Sequence, residues 1–512
     1  MSDKPNANPQ DNQPEENPND LLADRRKKLD RIREELDIDP FGQRVDGLMS
    51  LKAAFDQYDE AADEAHKADS ETDNRPVVKI AGRIIQHRVM GNLIFMRLRD
   101  ASGDLQLAVS KKAIDRPGFD LAKKLVDLGD IVVAQGPLAK TKTGEVTCWA
   151  TGDDSFQLAT KSLALPPGKF HGLQDPETRY RKRYMDMYAN PQVIQTFQKR
   201  CNIVSKVRTV MQDEGFLEVE TPMLQAIAGG AAARPFVTHH NALDMELYMR
   251  IAPELYLKRL LVGGLPKVFE INRNFRNEGI DRSHNPEFTM LEAYEAFGDL
   301  YSVMDLTEKV FQTVAEQVCG SMKLPYGDIE IDYGNFRRAK YLELFEEHNG
   351  FAPSDHDKLV EKAKQLHIDP AGKDHDLLLN EVWEETVEEH LVQPTFVIDY
   401  PASLCPLTKR KPSEPEIAER FELFIAKMEL ANAYTELNDP DVQEANFRQQ
   451  IKGMDDEENT FRTVDEDFLE ALRVGMPPAG GLGIGIDRLI MLMTNSHTIR
   501  DVILFPLMRP QG

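Results

Sequence analysis

The chain has 512 residues, of which 41% are apolar, so it is long enough to fold as about two or three domains with hydrophobic cores. Its formal charge of -24 excludes a protein that is held to nucleic acid by its overall charge, although a local basic patch can still bind RNA. No run of about 18 apolar residues is present, so we expect no membrane span.

The cysteines and the N-terminus indicate the compartment. Cys148, Cys201, Cys319 and Cys405 are too far apart for a Cys-x-x-Cys site, and we expect reduced, mostly buried thiols. The first residues lack the basic start and the apolar stretch of a secretion signal. The sequence therefore predicts a cytoplasmic protein.

The N-terminal region divides into a polar tail and a helical part. Residues 1–19 are rich in Asn, Pro, Asp and Gln, and we expect them to be disordered because they bury too little apolar surface to offset the entropy of ordering. Residues 20–76 are predicted to be a helical region, which begins with leucine and isoleucine at near-helical spacing in 20–36. A solvated helix and an RNA-touching arm are equally compatible with the six basic residues of this stretch. They are Arg25, Arg26, Lys27, Lys28, Arg31 and Arg33.

Residues 77–160 have the pattern of a small β-barrel. Five short strands are predicted, with turns at Gly91-Asn92, 102–104 and Thr143-Gly144 and a helix after the third strand, which is typical of an OB-type barrel. Such barrels often bind single-stranded nucleic acid on one face. Local positive charge supports an RNA partner for this domain. The basic residues are Arg83, His87, Arg88, Lys140 and Lys142.

The rest of the chain is predicted to be one large domain. Residues 161–180, with Pro-Pro-Gly at 166–168, are expected to form a linker. Residues 181–512 mix long helices with strands, and the acidic stretch at about 352–392 is predicted to be a helical insertion on the surface.

Three motifs in this domain carry the chemistry. Residues 215–222 (GFLEVETP) are a helix–turn–strand that ends at a proline, which alone is unspecific. Residues 275–290 place Arg276 beside Phe275 in a polar loop between two strands, where arginine suits phosphate or carboxylate oxygens. In 481–489, glycines at alternate positions leave one strand face bare before Arg488 opens a helix. The spacing excludes a Rossmann fingerprint, and no Walker A sequence is present, so any nucleotide would have to be held by other means.

Together and in this order, the three motifs resemble the signature of the class II aminoacyl-tRNA synthetases. Residues 229–236, 251–256 and 432–438 are similar to segments of the lysine-specific members, and the resemblance extends from about residue 20 onward. It implies an α+β protein in which a five-stranded OB-type anticodon-binding barrel precedes a catalytic domain built on an antiparallel sheet flanked by helices. It also implies a homodimer with Pro222 at its interface.

The resemblance implies ATP-dependent activation of L-lysine to lysyl-adenylate, with release of pyrophosphate, and transfer of lysine to the 3′ end of a lysine tRNA. Arg276 and Arg488 would be the catalytic residues, and Glu422 and Glu429 would bind Mg²⁺, a cation that suits carboxylate oxygens and phosphates. From spacing alone these two glutamates would be exposed charges. The ATP-binding residues would be Arg276, Glu278, His284, Asn285, Phe288, Glu422, Glu429, Gly485 and Arg488.

The amino-acid pocket implied by the resemblance is acidic. A long aliphatic amine needs apolar walls with acids at the far end, and Glu292, Tyr294 and Glu436 would face the ε-ammonium. The related aspartate and asparagine enzymes would need cationic or amide donors at that place. The lysine-binding residues would be Gly230, Glu254, Arg276, Glu292, Tyr294, Asn432, Tyr434 and Glu436.

On the barrel, the resemblance implies that Arg83, Phe95, Gln106 and Glu145 contact the anticodon, whereas spacing alone favours a core position for Phe95. A lysyl-type ligase that modifies a protein is one alternative, and the barrel argues against it. A catalytically dead paralogue is another, and the retained Arg276, Glu429 and Arg488 argue against that.

Two departures from the family pattern lie near the expected site. Cys405-Pro406-Leu407 stands where Ser-Pro-Leu is frequent, and Ala426-Lys427-Met428 replaces a glycine-rich turn. Both bear on the fine geometry of the site.

Overall fold

A computed structural model describes residues 18–166, 173–231, 233–405, 407–452 and 464–511. The chain forms two compact units, Met1–Gln195 and Thr196–Gly512. Most of the tail that is predicted to be disordered, together with Pro167 and Gly168 of the expected linker, lies outside the described residues. Within the described residues no helix combines the length and the apolar character that crossing a membrane requires.

The first unit begins with three helices. Leu29 and Ile32 of the first helix are buried, as the near-helical spacing predicts. Arg25 is also buried, and its guanidinium donates to the carbonyl oxygens of Leu128 and Ser162 at 2.8 Å each. Lys28 also pairs with Asp127 at 2.7 Å, so two of the six basic residues anchor this helix within the unit. The helices are α1 (Pro18–Glu35), α2 (Leu51–Phe55) and α3 (Glu60–Ala68).

The OB barrel is confirmed, with one strand more than the sequence predicts. Its strand order is β1-β2-β3-β5-β4-β6, and an additional β1–β4 pairing closes the barrel. The sixth strand buries Phe156 and Leu158 and pairs with β4. The strands are β1 (Val77–Met90), β2 (Leu93–Asp100), β3 (Gly103–Ser110), β4 (Ile131–Lys140), β5 (Val146–Ala150) and β6 (Phe156–Thr160), with α4 (Arg116–Asp120) after β3.

Helices and short strands lead into the second unit. The C-terminal half of the expected linker is not extended, because a helix begins at Pro176, behind the capping carboxylate of Asp175. The elements are α5 (Pro176–Arg181), α6 (Arg183–Ala189), α7 (Pro191–Asp213), β7 (Leu217–Glu218), β8 (Leu224–Gln225), β9 (Val237–His240), β10 (Met245–Met249) and α8 (Glu254–Val262).

The predicted antiparallel sheet with flanking helices is confirmed. Nine strands form it: eight in the order β15-β16-β18-β19-β20-β12-β11-β7, with β17 paired to β18. Only the β15–β16 and β11–β7 pairs, at the two ends, are parallel. The other strands of the second unit include β13 and β14, which form a separate two-stranded sheet. They are β11 (Lys267–Phe275), β12 (Glu287–Ala296), β13 (Lys323–Tyr326), β14 (Ile329–Asp332), β15 (Arg337–Lys340), β16 (Thr395–Pro401), β17 (Arg410–Lys411), β18 (Glu414–Ile425), β19 (Met428–Thr435) and β20 (Ala479–Gly485).

Two long apolar helices cover one face of this sheet. Residues such as Val310, Phe311 and Leu489 pack against alternate strand residues, for example Leu291 and Ala433. The intervening strand residues therefore point to the opposite face. The remaining helices of the unit are α9 (Leu300–Gln317), α10 (Tyr341–Asn349), α11 (His356–Gln365), α12 (His375–Thr386), α13 (Pro440–Lys452), α14 (Glu466–Gly475), α15 (Ile486–Met493) and α16 (Ile499–Val502).

The acidic stretch at 352–392 is helical, as predicted, and contains α11 and α12. It is more than a surface appendage, since Trp383 is fully buried and stacks on Tyr341 of α10 at 4.8 Å between ring centroids. The stretch thus shares a second hydrophobic core with α10 and β16.

Candidate active site

The face of the sheet opposite α9 and α15 carries the site residues that the sequence predicts in the strands. Glu422, Asn432, Gly483 and Glu292 are register partners across β18, β19, β20 and β12. One step further along, Tyr434, Gly481 and Tyr294 form the neighbouring row. Four strands that are distant in sequence therefore place these polar groups on one surface.

Glycines of β20 leave the middle of this surface without side chains. A Cβ atom at Gly483 would come within 2.5 Å of Met290 Cε, and one at Gly481 within 1.8 Å of Glu436 Oε1. Side chains of the protein itself therefore occupy the space over Gly481 and Gly483, and all three glycines of this strand face, Gly481, Gly483 and Gly485, line a cavity. The bare strand face that the sequence predicts therefore lets neighbouring side chains pack closely and leaves space for a ligand in the cavities.

The first cavity of the site brings two arginines and an aromatic ring together. The Arg276 guanidinium lies 5.2 Å from the centre of the Phe288 ring, and its Nε has no hydrogen-bond partner among the described residues. An oxyanion would satisfy that buried donor. Predicted residues that line this cavity are Arg276, Glu278, His284, Asn285, Phe288, Glu429, Gly485 and Arg488.

Arg488 is held by a chain of hydrogen bonds. Its Nη1 donates to the Glu429 carbonyl oxygen at 2.6 Å, and its Nη2 lies 2.8 Å from His284 Nε2. His284 Nδ1 is 2.7 Å from Asp281, which assigns the proton to Nδ1 and leaves Nε2 as the acceptor. The guanidinium is therefore fixed before any ligand binds. The preceding Asp487, which the sequence does not single out, fastens this turn through Arg200 at 2.6 Å.

The second cavity is acidic and is continuous with the first, because Arg276, Glu429 and Asn432 line both. Its floor carries Glu292, whose Oε2 accepts a long hydrogen bond from Tyr294 at 3.4 Å. Burial and the nearby Glu254 raise the pKa of Glu292 to about 8, although Arg276 opposes the shift. Predicted lysine-site residues that line this cavity are Gly230, Glu254, Arg276, Glu292, Tyr294, Asn432 and Tyr434.

Glu436 is brought to the pocket but does not line it. Glu436 is 1% exposed, and its carboxylate lies over Gly481 beside Tyr294. Its Oε2 lies 2.5 Å from Nζ of Lys258, a fully buried residue of α8 that sequence reasoning missed. Spacing offered one signal, since Lys258 follows Glu254 by four positions in a helix and so shares its face.

Glu422 and Glu429 lie on neighbouring strands beside the shared wall of the two cavities. Glu422 accepts from Tyr400 at 2.7 Å and from Arg420, and its side chain is 15% exposed, less than spacing predicts. Partial burial together with Glu384, Glu422 and Glu429 raises the pKa of Glu388 to about 7. This local excess of carboxylates fits a divalent cation. No three potential ligand side chains converge among the described residues, so phosphate and water would have to complete the shell, as is usual for Mg²⁺.

The turn between these glutamates tolerates the missing glycines. Ala426 and Lys427 have φ angles of 51° and 67°, which make a two-residue left-handed turn between β18 and β19. The other departure is Cys405-Pro406-Leu407. Cys405 is buried and its sulfur lies 3.4 Å from Arg420, while Pro406 is outside the described residues.

Against expectation, only Cys148 and Cys405 of the four thiols are buried, and Cys201 is exposed.

The outer face of the barrel carries the predicted anticodon residues. Phe95 alternates with the buried Ile94 and Met96, so it lies on the outer face and not in the core that spacing alone favours. The Phe95 ring meets Trp149 edge-on at 6.2 Å, an aromatic partner that the sequence does not reveal. Gln106 donates to Thr147 at 3.0 Å, and Glu145 pairs with Arg97.

Not every basic side chain predicted for this domain is free. Arg83 donates to the Gly129 carbonyl oxygen at 2.6 Å and lies over the Tyr188 ring at 4.7 Å. Lys140 pairs with Glu60 at 2.6 Å. These two cations therefore already have partners within the barrel unit.

Pro222 is exposed and lies among exposed apolar side chains. The exposed fractions are 52% for Leu217, 50% for Leu224 and 46% for Val237. Leu224 is the register partner of Met249 and Val237 that of Tyr248, so these two side chains point to opposite faces of the three-stranded sheet.

Comparison with known proteins follows the same division of the chain. Residues 175–509 match the family model described as class II tRNA synthetases (D, K and N), and residues 78–152 match the OB-fold nucleic acid binding domain. The lysine–tRNA ligase of Pelotomaculum thermopropionicum is 48% identical over 97% of this chain and 96% of its own length. Those of Carboxydothermus hydrogenoformans and Bacillus cereus are 47% and 46% identical, over 96% and 98% of this chain and 99% of their own lengths.

Proposed function

Because the chain belongs to the class II tRNA synthetases, and within them to the lysine–tRNA ligase family, we propose that it activates L-lysine with ATP and transfers it to a lysine tRNA. One observation carries the proposal. An acid-lined cavity and a cavity lined by Arg276, Arg488 and Phe288 meet at Arg276 and Asn432 on one sheet face. A cationic amino acid and a nucleotide would thus be held end to end.

Activation requires the lysine carboxylate to attack the α-phosphorus while pyrophosphate leaves. No nucleophile of the protein is needed, so positioning and charge neutralisation supply the catalysis. Arg276, at the junction, binds the carboxylate and the α-phosphate. Arg488, held by His284 and Glu429, binds the γ-phosphate. Glu278, Asn285 and Phe288 hold the adenine on the wall of the first cavity.

Glu422 and Glu429 are the residues that would hold Mg²⁺. When bound, the cation neutralises charge on the phosphates. Asn432 donates to Glu429 at 3.3 Å and keeps that carboxylate turned toward the shared wall of the two cavities.

The acidic cavity supports lysine over aspartate or asparagine. Glu254 and the Gly230 backbone take the α-ammonium, while Glu292 and Tyr294 take the ε-ammonium. An aspartate side chain would instead face buried carboxylates and be repelled. On the barrel, the Phe95–Trp149 pair offers an aromatic platform for an anticodon base.

The exposed apolar residues around Pro222 support a homodimer through this region. A second copy that packs on Leu224 would remove this half-exposed side chain from water.

Pyrophosphate exchange into ATP tests the activity directly. Each amino acid is supplied singly, without tRNA, and with and without Mg²⁺. We expect exchange with lysine alone, and only when Mg²⁺ is present. Faster exchange with aspartate or asparagine would refute the substrate, and Mg²⁺-independent exchange would refute the role of Glu422 and Glu429.

A further inference from the structure

Lys258 is a cation buried behind the acidic cavity. It is 0% exposed, lies on α8 and does not line the cavity. Its Nζ is 2.6 Å from Glu254 Oε1 and 2.5 Å from Glu436 Oε2. A buried ammonium is tolerated only when it is paired, and here one ammonium pairs with two carboxylates.

Both partners of Lys258 belong to the pocket. Glu254 lines the cavity. Glu436 lies over the bare face of Gly481 beside Tyr294, and its Oε1 has no hydrogen-bond partner among the described residues. Lys258 thus fixes one oxygen of each carboxylate while leaving Glu436 Oε1 uncommitted.

The charges that surround this pair come from several elements. Glu292 and Tyr294 face it from β12, and Tyr434 faces it from β19. Of the nearby arginines, Arg250 is paired with Glu270 at 2.8 Å and Arg276 lies at the junction of the cavities. Lys258 is therefore the cation in direct contact with the acids of the pocket, within the part of the chain that the structure describes. Burial disfavours its charge, but Glu254 and Glu436 outweigh that effect and raise the pKa of Lys258.

We infer that Lys258 is a positioning residue, a buried counter-cation that holds the carboxylates of Glu254 and Glu436 in place for lysine. The inference rests on the proposed function. Glu254, Glu292 and Glu436 are three acids, and Lys258 offsets one of them. Two negative charges remain for the α- and ε-ammonium groups of lysine, whereas a neutral amino acid brings only one ammonium.

Without Lys258, the buried Glu436 would take up a proton. Burial already raises the pKa of Glu436 in the presence of Lys258, and Glu254 adds to that shift. Removing the adjacent cation raises the pKa further. Lysine would then have to displace this proton as well as the one on Glu292, so its binding would depend more steeply on pH.

Lys258→Met tests the inference because it keeps most of the unbranched side chain and removes the charge. Lysine KM and ATP KM are measured by pyrophosphate exchange from pH 6.5 to 8. We expect lysine KM at pH 7 to rise roughly tenfold or more, while ATP KM changes much less. The slope of log KM for lysine against pH should also become steeper, because lysine binding would release about two protons instead of one. In the double variant Lys258→Met/Glu436→Gln no carboxyl remains at position 436, and the pH dependence should return to that of the unmodified protein.

A purely structural Lys258 would give a different result. Lysine KM and ATP KM would rise together, the melting temperature would fall, and the pH dependence would be the same in the single and double variants. If Lys258→Met does not fold, the number of protons that lysine binding releases is measured on the unmodified protein. Calorimetry in buffers of different ionisation enthalpy gives this number. Release of about one proton or fewer at pH 7 supports the inference, and release of about two overturns it. Loss of lysine-dependent exchange in the unmodified protein would instead refute the proposed function.

Discussion

At the scale of single residues, Glu292 is the group whose ionisation should control lysine binding. Burial and Glu254 raise its pKa to about 8, so it is mostly protonated in the free site at pH 7. The ε-ammonium favours the ionised form, and lysine binding must therefore release the proton below pH 8. We expect lysine KM to fall as the pH rises from 6.5 to 8, by up to about tenfold per pH unit, with little change in ATP KM.

Glu292→Gln is the matched variant, because it keeps the shape of the side chain and cannot titrate. Lysine KM should then be higher and nearly independent of pH over the same interval. A pH dependence that survives unchanged in Glu292→Gln would assign the proton to another group.

Some residues of the site are predicted from motifs, and others are not. Arg276 and Arg488 stand in motifs that acquire their meaning from the family resemblance, since each motif alone is unspecific. Lys258 and Trp149 carry no motif, because their importance comes from partners such as Glu436 and Phe95 that are distant in sequence. A contact of that kind appears only when the fold brings two segments together.

At the scale of elements, the sequence specifies strands better than it specifies which face of a strand is buried. In β2 the consecutive Leu93, Ile94, Phe95 and Met96 are all apolar, so a period of two does not distinguish the faces. The barrel core selects Ile94 and Met96, which leaves Phe95 outside. The turn after β18 is another local choice, since Ala426 and Lys427 adopt left-handed angles that their residue types do not favour.

The outward position of Phe95 leads to a prediction for the barrel. Phe95→Ala removes an aromatic surface worth roughly 1–3 kcal/mol per stacked base, so we expect KM for tRNA to rise by about tenfold to a hundredfold. Lysine activation, measured as pyrophosphate exchange without tRNA, should stay nearly intact. Val89→Ala, at an exposed apolar residue of β1, is the control and should affect neither reaction. A parallel loss of both activities and of the melting temperature in Phe95→Ala would assign Phe95 a structural role.

At the scale of the whole molecule, the order of a barrel followed by a sheet domain is predictable, because each domain has its own periodicity and turn pattern. The second core around Trp383 is not, since the acidic composition of residues 352–392 suggests only a solvated surface. The oligomeric state depends on surfaces that sequence patterns do not mark. The exposure of Leu217, Leu224 and Val237 is known only from the folded chain.

The last prediction concerns that surface. A charge at Leu224 of each copy would have to be buried without a partner in the proposed dimer. The lost apolar burial alone, about 1.5–3 kcal/mol for each leucine, corresponds to a dissociation constant that is roughly 100-fold higher or more. We expect Leu224→Glu to sediment as a monomer at concentrations where the unmodified protein is a dimer. Leu377→Glu is the matched control, since Leu377 is 43% exposed on α12, outside this surface, and it should leave the dimer unchanged. If Leu224→Glu remains a dimer, or if the unmodified protein is a fully active monomer, the interface does not lie at Pro222.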